Sequence, residues 1–149
     1  MSLTVLLSPA KKLNFESEQP TSACTQPIFW SKTEKIAKAL KKLSAKKIGA
    51  LMNLSPALSE LNYDRKQDFS YERNKDNSKA AGFVFNGEVY TGLNIHDFTE
   101  QELQFANNHI NILSGLYGIL KPLDLIQPYR LEMGTKFAMG RKKNLYEFW

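Results

Sequence analysis

Two short, nearly continuous apolar runs stand at Leu3 to Leu7 (LTVLL) and Ile110 to Leu113. Each is too short for a packed helix and reads as a buried strand. Between them the apolar spacing becomes helical, so the chain alternates strand-patterned and helix-patterned segments. That alternation restricts the fold to a mixed α/β (α+β) class: a mixed sheet carrying a helical insertion at about residues 31–70. With 149 residues, 42% of them hydrophobic, residues 1–149 are material for a single domain with its own core. No apolar run approaches the roughly 18 residues of a membrane span, and Met1 to Leu7 lacks the charged start and long apolar stretch of a signal peptide. The expected location is therefore the cytoplasm, with no membrane partner. The single cysteine, Cys24, has no partner for a disulfide and reads as a free thiol.

Ser8 and Pro9 close the first strand, and the polar stretch from Asn14 to Pro27 reads as an irregular connection. Ser31 is placed to cap a helix whose apolar face is Ile36, Leu40 and Leu43. Ser44 is placed to cap a second, short helix that stops near Asn53. Pro56 suits the first turn of a third, with Leu58, Leu61 and the stem of Arg65 as its inner face. Tyr71 to Lys79 reads as a loop or weak helix. Gly82 to Leu93 (GFVFNGEVYTGL) predicts a β-hairpin turning at Asn86-Gly87. Thr99 and Glu102 form a capping box for a helix through Leu103, Phe105 and Ala106. The chain ends abruptly in an apolar, aromatic segment, Asn144 to Trp149, which leads to the expectation that it is the N-terminal part of a longer protein.

The formal net charge is +5, but it is unevenly placed. Seven lysines (Lys32, Lys35, Lys38, Lys41, Lys42, Lys46 and Lys47) face a single acid, Glu34, between Ser31 and Ile48, and the remainder of the chain holds 13 basic and 14 acidic residues. Such a patch attracts polyanions in a salt-dependent way. A solvated helix face kept polar for solubility has the same composition.

Gly49 to Arg65 (GALMNLSPALSELNYDR) resembles a helix-hairpin-helix module, whose usual turn reads hydrophobic, Gly, hydrophobic, Gly. Met52 and Leu54 hold the apolar positions, Asn53 replaces the first glycine and Ser55 the second. Asparagine is the non-glycine residue most willing to be left-handed, and serine caps helices. The amides of Ala57 and Leu58, at the positive end of the third helix, would then point at a phosphate. Binding of this kind holds the DNA backbone without reading bases. The set expected to contact nucleic acid is Lys38, Lys41, Lys42, Lys46, Lys47, Asn53, Ser55 and Arg65, with Lys66 extending the basic surface. A plain helical turn packed on the core is the alternative.

Three further segments carry a more specific likeness: Ser8-Pro-Ala-Lys-Lys-Leu13, Val89-Tyr-Thr-Gly-Leu93, and the run LSGLYGILKPLDLIQPYRLEMG from Leu113 to Gly134. Together they resemble the YaaA family, also called UPF0246, of bacterial peroxide stress proteins. The likeness extends from Leu3 to Trp149. It implies a cytoplasmic protein that protects cells from hydrogen peroxide and restrains unincorporated iron, and that binds DNA through a positively charged cleft and a helix-hairpin-helix motif in a family-specific fold. It brings no established enzymatic activity.

Lys11, Lys12, Arg130 and Lys136 form a second candidate set, for a phosphate in a cleft. An alternative function is an enzyme acting on a nucleotide or nucleobase, with Lys11, Tyr117, Arg130 and Glu132 as its site and Glu132 as acid or base. Each residue also has a structural reading: Arg130 with Glu132 as an ion pair, Tyr117 as core. His96, His109 and Cys24 show no metal-ligand spacing, so neither a metal nor a cofactor is expected.

Overall fold

The computed structural model describes residues 2–149. Its elements in chain order are β1 (Val5–Leu7), β2 (Lys12–Leu13), α1 (Trp30–Lys41), α2 (Ala45–Met52), α3 (Pro56–Asp68), β3 (Lys79–Ala80), α4 (Ala81–Val84), β4 (Phe85–Asn86), α5 (Glu88–Leu93), α6 (Glu100–His109), β5 (Ile110–Ser114), β6 (Gly118–Leu120), β7 (Leu125–Ile126) and α7 (Leu145–Phe148). The fold is mixed α/β, as the alternation of patterns predicts. Among the described residues no helix is long and apolar enough to cross a membrane. The residues form two compact units, one of 2–28, 72–113 and 119–128, the other of 29–71, 114–118 and 129–149.

In the first unit β1 runs parallel to β5, with Val5, Leu6 and Leu7 opposite Ile110, Asn111 and Ile112, and β6 lies on the far side of β5. Two small antiparallel pairs, β2 with β4 and β3 with β7, belong to the same unit. The predicted capping box opens α6: the Thr99 hydroxyl accepts from the Glu102 amide at 3.2 Å, and the Glu102 carboxylate accepts from the Thr99 amide at 2.7 Å. Both interactions lie within four residues, so sequence alone specifies them. The helix then lays Leu103 into a core with Ala80, Phe83, Ile95 and Leu123. Asp124, only 1% exposed, ties this unit together. Its carboxylate accepts from the Thr25 hydroxyl at 2.6 Å and the Lys121 amide at 2.8 Å.

The second unit is built on α1, α2 and α3. Thr33, Ile36, Ala37 and Leu40 are the buried face of α1, and the Thr33 hydroxyl donates to the Leu116 carbonyl at 2.9 Å. Trp30 stacks on Phe69 and on Tyr117, with ring centroids 5.7 and 6.3 Å away. Gly49 of α2 lies against Ser59 of α3 so closely that a Cβ at Gly49 would overlap the Ser59 hydroxyl. Two small residues at the crossing thus let the helix backbones approach.

Four expectations are corrected. The first strand is exposed: Leu3 and Leu6 are 64% and 63% accessible, because β1 is an edge paired on one side only. Gly82 to Leu93 is not a hairpin, since its two β-rich runs go to other partners or become helix. Asn86 pairs with Lys12, Phe85 with Leu13, and residues 88–93 form α5. Distant pairing here outweighs local turn preference. On α3 the buried residues are Ser59 and Asn62, while Leu58 and Leu61 are exposed, because the face that meets α2 is set by the Gly49 contact. Finally, α1 starts one residue before Ser31, at Trp30, whose ring is held by stacking, and Phe29 supplies the first carbonyl.

Candidate nucleic-acid interface

The turn between α2 and α3 is built by three small polar residues. Ser44 caps α2 by accepting from the Lys47 amide at 3.2 Å. Asn53 ends α2 in the left-handed region, φ 53 and ψ 55, and the Leu54 amide donates back to the Gly49 carbonyl at 2.9 Å. Ser55 caps α3 by accepting from the Leu58 amide at 3.3 Å, with Pro56 in the first turn. The Leu58 donor, expected to face a ligand, is therefore taken by Ser55. A left-handed asparagine costs less than any other side chain there, and glycine less still. Asn53→Ala should lower stability by about 1 kcal/mol and Asn53→Gly by no more than a few tenths, measured by urea unfolding.

The lysines around this turn differ in what they touch. Lys38 is 3.5 Å from the Glu34 carboxylate and 5.2 Å from the centre of the Tyr71 ring. Lys41 donates to the Phe69 carbonyl at 3.2 Å and also lies over Tyr71. Lys42, Lys46 and Lys47 are exposed. Lys46 and Lys47 occupy the first turn of α2, where no acidic residue is present. Like charge at the positive end of a helix is unfavourable by a few tenths of a kcal/mol, and an oxyanion there removes the penalty. Lys46 also borders a groove of about 470 Å³ with Gly49, Leu54, Pro56 and Glu60.

Lys66 is a correction. Its ammonium donates to the Leu40 carbonyl at 2.7 Å and to the Leu43 carbonyl, and sits 4.8 Å from the Tyr63 ring centre. It closes the C-terminal end of α1 instead of extending a surface, and burial lowers its pKa. Arg65, half-buried on the same turn, donates to the Asn62 side chain at 3.4 Å. Burial first, and then the neighbouring Arg130 charge, lower its pKa.

In the remaining set, Arg130 lies 3.9 Å from Glu132. Lys136 is exposed. Tyr117 is fully buried, its ring edge-on to Tyr129 at 5.3 Å, and it fills the core of the second unit. The Tyr129 hydroxyl shares a 2.8 Å hydrogen bond with Ser114, and burial raises its pKa. Lys11 and Lys12 are exposed in the first unit, Lys12 within β2. His96 packs edge-on to Phe83, and His109 stacks on Phe105. Among the described residues no three His, Cys, Asp or Glu side chains gather as metal ligands.

The Tyr71 ring beneath Lys38 and Lys41 and the carbonyl ligands of Lys66 are the functional-surface features sequence reading missed. Their only signal is an aromatic residue just after a basic helix, which does not specify contact.

The molecule is thus a mixed α/β protein whose second unit presents cations beside a tight helix–turn–helix. Sequence comparison places it more narrowly. Residues 3–149 match the family described as peroxide stress protein YaaA, and the chain belongs to that family. It is 50% identical to a UPF0246 protein of Bordetella petrii over 97% of this chain and 56% of that protein. It is 45% identical to a UPF0246 protein of Saccharophagus degradans and 46% identical to one of Aliivibrio fischeri, in each case over 99% of this chain and 57% of the relative. The chain spans a little over half the length of these relatives.

Proposed function

We propose that this chain carries the DNA-contacting surface of a cytoplasmic peroxide stress protein, which binds the phosphate backbone without sequence preference and so limits iron-driven damage to DNA. The observation that carries the reading is the pair Lys46 and Lys47, exposed in a first turn of α2 that holds no acidic residue, beside a turn shaped by Asn53 and Ser55. Lys42 continues the charge, and Lys38, Lys41 and Arg65 border it. Membership of the peroxide stress family supports the physiological part. Lysines that neutralise phosphates release the cations condensed on them, and iron held at those phosphates would leave with the rest.

Fluorescence anisotropy with two unrelated duplexes tests the proposal. Affinities for the two should agree within a few-fold and fall steeply with added salt. The double variant Lys46→Glu/Lys47→Glu should bind more than tenfold more weakly and reduce the slope of log K against log salt by about 2. Unchanged affinity and slope would remove the assignment.

A further inference from the structure

A recess of about 250 Å³ opens in the first unit, walled by the segment after β2, by α4 and β4, and by α5. It lies just under the roughly 300–1,000 Å³ of pockets that take drug-sized ligands, so it suits a single ring system. Aromatic side chains form much of the wall. Phe85 and Tyr90 have ring centroids 5.4 Å apart, and the Tyr90 hydroxyl is anchored by donating to the Ser8 carbonyl at 2.6 Å. Phe83 and His96, edge-on to each other at 5.0 Å, also line it. Among the described residues no Lys, Arg, Asp or Glu does, so a charged ligand would lose hydration there and gain no counter-charge. The polar groups are amides. The Asn14 side-chain oxygen accepts from the Glu16 and Ser17 amides at 2.9 and 3.1 Å. Those two donors fix which way the amide faces and leave its NH₂ without a partner among the described residues. Asn86 is held in β4 by backbone pairing with Lys12, and its half-buried side chain makes no hydrogen bond to any described residue. One amide presents a donor beside an acceptor, which is the pattern on the edge of a nucleobase. Aromatic faces stack on bases of any identity.

We propose that this recess binds one neutral nucleobase, stacked against the aromatic wall and held along its hydrogen-bonding edge by Asn86, with the Asn14 NH₂ donating to an acceptor on the same ring. The base belongs to a free nucleoside or to an unpaired nucleotide of a nucleic acid, and its chemistry is the same in both. The site differs in kind from the lysine surface around α2: the lysines hold phosphates by charge, whereas the recess recognises a base without charge. A base paired inside a duplex does not enter, because its edge is occupied and its faces are stacked.

Isothermal titration calorimetry of the whole chain with adenosine, cytidine and uridine is the test. At least one should bind saturably, with an affinity that hardly changes with added salt, since neither partner brings a charge. Asn86→Ala should weaken that binding about tenfold and leave the melting temperature close to the wild-type value, because β4 is paired through its backbone. Thr91→Trp, at an exposed position of α5 that lines the recess, should fill it and abolish binding, and serves where Asn86→Ala is too unstable to measure. Titrating the Lys46→Glu/Lys47→Glu protein with a duplex carrying one unpaired base and with its fully paired counterpart identifies the source. Preference for the unpaired base that Asn86→Ala removes assigns a nucleic acid; nucleoside binding without that preference assigns a free nucleoside. Nucleosides carry no phosphate, so failure of the lysine surface and failure of this site are separately visible. Binding of neither nucleoside nor unpaired base, affinity unchanged by both Asn86→Ala and Thr91→Trp, or nucleoside binding that falls steeply with salt would each overturn the proposal.

Discussion

Gly115→Ala is expected to destabilise the protein by about 3 kcal/mol or more, lowering the melting temperature by roughly 6–12 °C. An alanine Cβ at this position would overlap the Leu131 carbonyl oxygen and come within 3.0 Å of the Glu132 carbonyl carbon. Both obstacles are backbone, so no rotamer change relieves them. The Gly115 carbonyl meanwhile accepts the Trp149 indole N–H at 2.9 Å, so displacing the loop also strains the contact that holds the last helix. Gly92 supplies the control. It lies in α5 with open space where a Cβ would be, and Gly92→Ala should stabilise by about 0.5–1 kcal/mol, the ordinary helix preference of alanine. Differential scanning calorimetry of the two variants distinguishes a steric requirement from a general intolerance of glycine replacement.

The second large effect concerns Asp124. Asp124→Ala should cost about 3–5 kcal/mol, because it strands the Thr25 hydroxyl and the Lys121 amide and removes a charge placed near Arg73. Asp124→Asn should cost far less: its oxygen still accepts from the Lys121 amide, and the Thr25 hydroxyl turns to accept from the new NH₂. Burial raises the carboxyl pKa above the ordinary value of 3.8, an effect opposed in part by its hydrogen bonds to Lys121 and Thr25. The folded state therefore holds the proton to higher pH than the unfolded chain does. Its contribution is fully present below about 3.8 and declines as pH rises through the raised folded value. Urea unfolding across that window should show a downward component with pH in the wild type that Asp124→Asn lacks. An identical pH profile in the two proteins would show that Asp124 titrates normally.

These residues also show how far the sequence reaches. The Ser44 cap, the Thr99–Glu102 box, Pro56 at the start of α3 and the left-handed Asn53 are all legible, because each is decided by hydrogen bonds or sterics within about four residues. The candidate surface is legible as a count of charges between Ser31 and Ile48. Which of those cations are engaged is not: nothing local says that Lys41 meets the Phe69 carbonyl or that Lys66 closes the end of α1. Leu58 and Leu61 mislead for the same reason. Spacing marks a potential apolar face, but the close contact of Gly49 with Ser59 selects which face is buried.

Sequence by itself determined the mixed class, the helix starts at Ser44, Ser55 and Thr99, and the family likeness. Tertiary structure alone decided that Leu3 and Leu6 stay exposed, that Phe85 and Asn86 pair with β2 instead of folding into a hairpin, and that the Lys66 ammonium closes the end of α1. The division follows from range. Backbone dihedrals and caps answer to neighbours a turn away, while burial and charge proximity depend on segments tens of residues distant whose positions no local pattern encodes.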